Sequence, residues 1–163
     1  MTLQTGGLTK YGPIKFEDKA TRLPWPVAAS EQFRLKSGRF VTKGTNGPAE
    51  VADDGDTLLL GWLDPENGET LSVSGDMGIL IPAAGDKTVY RIPINAGTYV
   101  ATMQGKTCDL VRATVGGVTL VQGAKLDASG EDNLIIVDGD LVNNEWVDVM
   151  INPDKVTSLT GVV

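Results

Sequence analysis

The chain offers few residues with which to do chemistry. It carries 21 Asp and Glu, 14 Lys and Arg, a single cysteine and no histidine. The absence of histidine removes Ser-His-Asp and Cys-His nucleophile activation, imidazole metal ligation and a proton switch near neutral pH. Three carboxylates crowd the stretch "ADDGD": Asp53, Asp54 and Asp56. Hard cations want several oxygen ligands on a tight loop. This loop runs straight into the apolar "TLLLGWL" without the later bidentate Glu of an EF-hand, so the three are weak metal candidates and read first as turn formers. "DGD" at Asp138 to Asp140 reads the same way. In "LDPENGE", Asp64, Glu66 and Glu69 invite a glycosidase reading, but such a pair needs a fixed separation, one raised pKa and a sugar-shaped cleft. A hairpin loop specifies none of these, and at 6% aromatic residues the chain has no clustered stacking platform. Alternation in "KTCDLVR" puts Cys108 on a face with Leu110 and opposite Thr107 and Asp109, a small buried hydrophobe rather than a reactive thiolate. No phosphate-cradling glycine loop and no nucleophile elbow occur. The expectation is a protein that is not an enzyme and uses no cofactor.

What remains is the chemistry of contact, and the charge layout is informative there. Residues 1–43 hold eight of the 14 Lys and Arg but three of the 21 acids, a net charge of +5 against −12 for the remainder. An acidic body argues against nucleic acid, because phosphate binding needs a basic footprint on the folded surface. A basic leader on an acidic body suits an acidic protein surface, a sister copy included. The leader also holds "TRLPWPVAAS", in which Trp25 stands between Pro24 and Pro26. Proline fixes its own φ and biases the residue before it toward extended geometry, so Leu23 and Trp25 are held as a stiff strap. Such a strap buries little of its own surface, and its indole gains most by entering a pocket, on the body that follows or on another subunit. The candidate partner-binding residues of the arm are therefore Lys10, Tyr11, Lys15, Lys19, Arg22, Pro24, Trp25 and Pro26.

The elements behind these residues read as all-β. Twenty glycines and eight prolines in a chain of 163 residues, among Val, Ile, Leu and Thr, describe short strands joined by tight turns. The expected strands are Gln32 to Leu35, Arg39 to Lys43, Thr57 to Leu63, Glu69 to Ser74, Gly78 to Ile81, Val89 to Ile94, Thr98 to Met103, Thr107 to Ala113, Val118 to Gln122, Asn133 to Val137 and Glu145 to Ile151. Within "TYVATM", alternation puts Tyr99, Ala101 and Met103 on one face. Within "EWVDVMI" it sets Trp146, Asp148 and Met150 against Val147, Val149 and Ile151. Asn-Gly and Asp-Gly steps supply the turns. The expected architecture is a compact β-sandwich or barrel, jelly-roll-like, over residues 30–152. An extended N-terminal arm over 1–29 precedes it, and 153–163 form a tail or last edge strand. No apolar run approaches the roughly 20 residues that cross a bilayer, and no signal-peptide layout opens the chain, so neither membrane insertion nor secretion is expected.

The elements Phe33, Leu35, Lys36, Gly38 and Phe40, then the acidic turn Asp53 to Asp56, then Leu60, Gly61, Trp62, Leu63 and Asp64, follow one another behind a proline-containing leader. Over roughly the first 70 residues this succession resembles small β-rich structural proteins of tailed bacteriophages, especially capsid decoration (cement) proteins. The resemblance implies a virion protein, made in the host cytoplasm, that binds the capsid exterior and bridges subunits of the major capsid protein. It also implies grouping with other copies of itself as trimers or dimers. The alternative from another class is a β-sandwich module of a phage head or tail appendage that binds a receptor or carbohydrate.

Overall fold

The computed structural model describes residues 11–15, 21–31, 38–45, 47–65, 75–115, 118–127, 130–157 and 159, with the backbone alone over 113–115 and 118–121. Eleven strands make up the described chain: β1 (Gly12–Lys15), β2 (Leu23–Pro26), β3 (Arg39–Lys43), β4 (Ala49–Val51), β5 (Gly61–Pro65), β6 (Met77–Pro82), β7 (Val89–Ala96), β8 (Thr107–Val115), β9 (Val118–Lys125), β10 (Leu134–Gly139) and β11 (Trp146–Ile151). The all-β expectation is met. Strands β7, β11, β10, β8 and β9 pair in that order, and β9 returns to β7 in parallel, which closes a five-stranded barrel. Closure removes the free edges that an open sheet would expose. Strand β1 adds to β7, and the other five strands form a curled sheet in the order β2-β6-β5-β3-β4. A single parallel bridge between Val27 and Ala49 brings its two ends together.

Strand β7 organises the barrel wall. One edge pairs with β11 from Tyr90 to Pro93. The other is shared, with β1 against Val89 to Arg91 and β9 against Ile94 and Ala96. The Ile94 amide donates toward β11, to the Glu145 carbonyl, so the Pro93 nitrogen faces the shared edge. It falls where β1 has ended and β9 has not begun, the one place on that edge where a missing donor costs nothing.

The barrel interior holds Tyr90, Ile92, Cys108, Leu110, Ala124, Leu134, Ile136, Val147, Val149 and Ile151, all buried in one cluster. The alternation expected of β11 is met, with Val147, Val149 and Ile151 together in this cluster. The same cluster takes in Phe40, Trp62 and Ile81 from the curled sheet. Their immediate neighbours Val41, Leu63 and Leu80 point the other way, into a second cluster with Val27, Ala49, Val51 and Leu60. The curled sheet is thus apolar on both faces, which is why its strands read as continuous apolar runs rather than alternating ones.

Three rings join the two bodies. Phe40 meets Trp62 edge-on at 5.1 Å and Tyr90 at 4.9 Å, and Trp62 stacks on Tyr90 at 5.3 Å. Beside them the buried Gln122 amide of β9 accepts the Phe40 N–H at 2.8 Å and donates to the Phe40 and Ala52 carbonyls, each at 2.9 Å.

Two strand expectations are corrected. Thr98 to Met103 is not a strand: Ala101–Met103 form a 3-10 turn, because the chain must cross the barrel end from β7 to β8. Tyr99 is held there by its amide donating to Asn144 Oδ1 at 2.8 Å. Only the end of Thr57 to Leu63 joins β5. Leu59 leaves the ladder to bridge Val156, which ties the C-terminal tail to the body. Gln32 to Leu35 and Glu69 to Ser74 lie outside the described residues.

Replacing Gln122 with leucine keeps the volume but deprives the Phe40 N–H and the Ala52 carbonyl of their buried side-chain partner. The expected loss is about 2–4 kcal/mol of unfolding free energy, read from the urea midpoint.

Candidate assembly surface

The arm is extended, as expected, but over the described residues it is built into the body. Gly12 of β1 lies opposite Arg91. Its φ is +116°, and a Cβ there would stand 3.3 Å from Trp62 Cζ2. Only glycine suits both the backbone and the approach to the indole. Tyr11 is half-buried, and Lys15 is exposed at the end of β1. Arg91, the residue facing Gly12, grips Asp148 through Nε at 2.7 Å and through a second nitrogen at 2.9 Å. Its guanidinium also lies 3.7 Å from the centroid of the Trp146 ring. The bidentate Asp148 contact comes first among the causes that raise the Arg91 pKa, so the guanidinium keeps its charge.

Strand β2 pairs with β6, Leu23 facing Leu80, Pro24 facing Ile79, Trp25 facing Gly78 and Pro26 facing Met77. Trp25 packs against the second core cluster, and its indole N–H donates to the Gly47 carbonyl at 3.1 Å. This corrects the expectation that the indole is offered to a partner: the nearest pocket is on its own body, and the chain fills it. Arg22, Pro24 and Pro26 are exposed. Lys10 and Lys19 lie outside the described residues, as do Phe33, Leu35, Lys36, Glu66 and Glu69.

The two prolines have a different task. Val27 donates its amide toward β6, to the Asp76 carbonyl, and Ala28 donates the opposite way, to the Ala49 carbonyl, both at 2.9 Å. Residues of Val27's parity, Leu23 and Trp25, therefore face β6, and Pro24 and Pro26 turn their nitrogens to the outer edge. That edge presents acceptors and no donors until Ala28, which uses its own to close the sheet. An edge without donors cannot template another strand.

The face above that edge is apolar. Pro24 with Ile79, and Pro26 with Met77, are cross-strand pairs on one side of the sheet. Met77 and Ile79 are 37% and 39% exposed. Along the same face, Ile81 and Trp62 lie under the barrel, so the four residues form a strip where the cover ends. Sequence reasoning named the prolines but missed Met77 and Ile79. A single alternating strand does not say which of its two apolar faces will run out past a neighbouring body.

A second apolar surface caps the barrel. In the β10–β11 turn, Leu141 is 65% and Val142 87% exposed. Asp140 holds that turn, its carboxylate accepting the amides of Val142 at 3.0 Å, Asn143 at 3.1 Å and Glu145 at 3.2 Å. The Asn144 side chain ties it to the β7–β8 crossing through Gly97 and Tyr99, and the Tyr99 ring lies on Gly139, where a Cβ would come within 2.5 Å of it. Burial works to raise the Asp140 pKa, but the three amide donors outweigh it and hold the carboxyl below the usual range. The sequence signal was an apolar pair, "LV", inside the turn cluster "DGDLVNNE".

The acidic loop serves the seam between the bodies. Asp53 pairs with Arg112 at 2.9 Å and accepts the Asp54 amide at 2.7 Å, and Asp56 accepts the Asp53 amide at 2.8 Å. Among the described residues no group of three or more His, Cys, Asp or Glu stands where it could hold a metal ion. Cys108 is buried, and burial, reinforced by Asp109 and Asp132, pushes its thiol up to about 12. No described helix is long and apolar enough to cross a membrane. A groove of about 430 Å³ between Pro26, Ala28, Thr45, Pro48 and Glu50 marks the closure of the curled sheet. No family model, curated protein or solved structure matches the chain.

Two outcomes are expected. Replacing Pro24 and Pro26 together with alanine returns two donors to the outer edge; light scattering on incubation should rise above the parent protein's, with about 0.5–1 kcal/mol of stability lost per proline. The folded Asp140 carboxyl lies below its unfolded value, so its contribution is present above the ordinary Asp range and is lost as pH falls through the folded value. Asp140→Asn should flatten the acid limb of a melting-temperature profile.

Proposed function

We propose that the chain is a decoration (cement) protein of a phage capsid: it binds the shell exterior, bridges major capsid subunits and stabilises the shell. The observation that carries this reading is the strip of Pro24, Pro26, Met77 and Ile79, an exposed apolar face on a rigid β body whose edge is closed to strand pairing. A surface of this kind serves side-chain contact with a protein partner. The cation-rich first 43 residues add attraction toward an acidic shell. Many copies, each gaining modest interface energy, sum to a large resistance to shell opening. The residues of the reading change from those of the arm alone: Trp25 braces the strap from inside, and the prolines face outward.

Truncating the arm would remove β1 and β2 and damage the fold, so the test uses the full chain. The protein should be found by mass spectrometry in purified particles of the phage whose genome encodes it. It should also sediment with those shells after they are stripped, and Ile79→Asp should lower the bound fraction about tenfold at unchanged melting temperature. Absence from particles together with no sedimentation would remove the reading. Glycan binding without shell binding would favour the appendage module.

A further inference from the structure

Half of the large apolar side chains left exposed among the described residues stand at one end of the barrel: Val100, Val137, Leu141 and Val142. They come from two segments, the β7–β8 crossing and the β10–β11 hairpin, and hydrogen bonds tie the two into one platform. Asn144 reaches Tyr99 and Gly97. The Gln104 side chain donates to the Val137 carbonyl at 3.0 Å, and the Gly105 amide to the Ile136 carbonyl at 2.8 Å. Nothing in the fold requires apolar residues at the tip, since Asp140 holds the turn. We infer that this end is a second contact with the shell, in which Leu141 and Val142 seat in an apolar depression with a cationic border, at a capsid site separate from the one that receives the strip. The inference rests on the shell reading and adds to it a surface of the other body and the chemistry of what covers it.

Charge decides the occupant. Asp138 and Asp127 are exposed and Asp140 and Glu145 half-buried around this end, Asp127 following Leu126, whose amide donates to the Ala96 carbonyl where the crossing begins. Against these four carboxylates stand Lys106, exposed on the crossing, and Arg91, whose charge Asp148 already matches. An acidic rim disfavours the same end of another copy and an anionic bilayer, because like charges brought together on docking are costly. The closed barrel offers no edge for strand addition. A protein depression bordered by Lys or Arg suits both the apolar tip and its rim.

Rigidity makes the contact effective. A platform fixed by its own hydrogen bonds loses little conformational entropy on docking, so the burial of Leu141 and Val142 is retained as affinity. The seam of Phe40, Trp62, Tyr90 and Gln122 holds the platform and the strip in one relation. Once either surface is docked, the other meets its site at a high effective concentration. A copy held at two points is what a bridge between subunits requires.

The test measures sedimentation of the full chain with stripped shells, using variants whose melting temperature matches the parent's. Val142→Asp should weaken binding about tenfold, and its loss should multiply with that of Ile79→Asp to about a hundredfold, as for independent surfaces. Glu145→Lys should weaken binding, and added salt should weaken it in the parent. A photoreactive benzoylphenylalanine placed at Val142 should cross-link to a major capsid peptide rich in Lys or Arg, different from the peptide reached from Met77. Binding by Val142→Asp equal to the parent's overturns this contact and leaves the shell reading standing. Tighter binding by Glu145→Lys, or cross-links from Val142 only to other copies of the chain, overturns it as well. A parent protein that does not sediment with shells removes both readings. Loss with Val142→Asp but not with Ile79→Asp keeps this contact and removes the strip's.

Discussion

The architecture depends on a join between two β bodies, and the join is made of unlike parts. Phe40, Trp62 and Tyr90 bring the curled sheet and the barrel into one apolar cluster, but ring packing alone tolerates sliding. The buried amide of Gln122 does not. It meets a donor and two acceptors of the curled sheet at fixed distances, and a buried polar group is stable only while all its partners are in register. Asn133 repeats the device nearby, accepting from Leu110 and donating to the Asp56 carbonyl. Area holds the bodies together and polar register fixes how they sit, so the strip on one and the tip on the other keep a defined relation.

The arm belongs to this join rather than to the exterior. Strand β1 fills the part of the β7 edge that β9 leaves open, and Gly12 brings its backbone onto the Trp62 indole. The Arg91 side chain beneath it is paired with Asp148 and stacked on Trp146. Strand β2 then spans the open side of the curled sheet and delivers Ala28 to the closure with Ala49. An indole between two prolines is what a closing edge strand needs. The ring fills the concave side, and the flanking residues contribute no donors to the edge that stays in water.

Much of this was legible in the residues, and the parts that were not share a cause. The strands at Arg39–Lys43, Val89–Ala96 and Trp146–Ile151 announce themselves by composition and period. The stiffness of the strap follows from Pro24 and Pro26. The destination of Trp25 did not follow, because proline geometry fixes a segment's conformation and not its neighbour. Thr98 to Met103 alternates like a strand, yet Asn144, far along the chain, draws it into a crossing turn. Asp53 resembled a ligand until Arg112 arrived from β8. In each case the local signal was sound and a residue remote in sequence decided the outcome. The exposed strip is of the same kind, since it exists only where one body stops covering the other.

The form of the uncovered surface limits how any partner can approach. A sheet edge with free donors and acceptors accepts a further strand, and such contacts are open-ended. Here one body is closed into a barrel, and the exposed edge of the other lacks donors along Pro24 and Pro26. Backbone pairing is thereby withdrawn as a mode of association at these edges, and contact is left to side chains on faces and tips. Side-chain contact depends on the shape and chemistry of the two apposed faces rather than on a repeating backbone pattern. In this chain two prolines and a parallel closure of five strands impose that restriction.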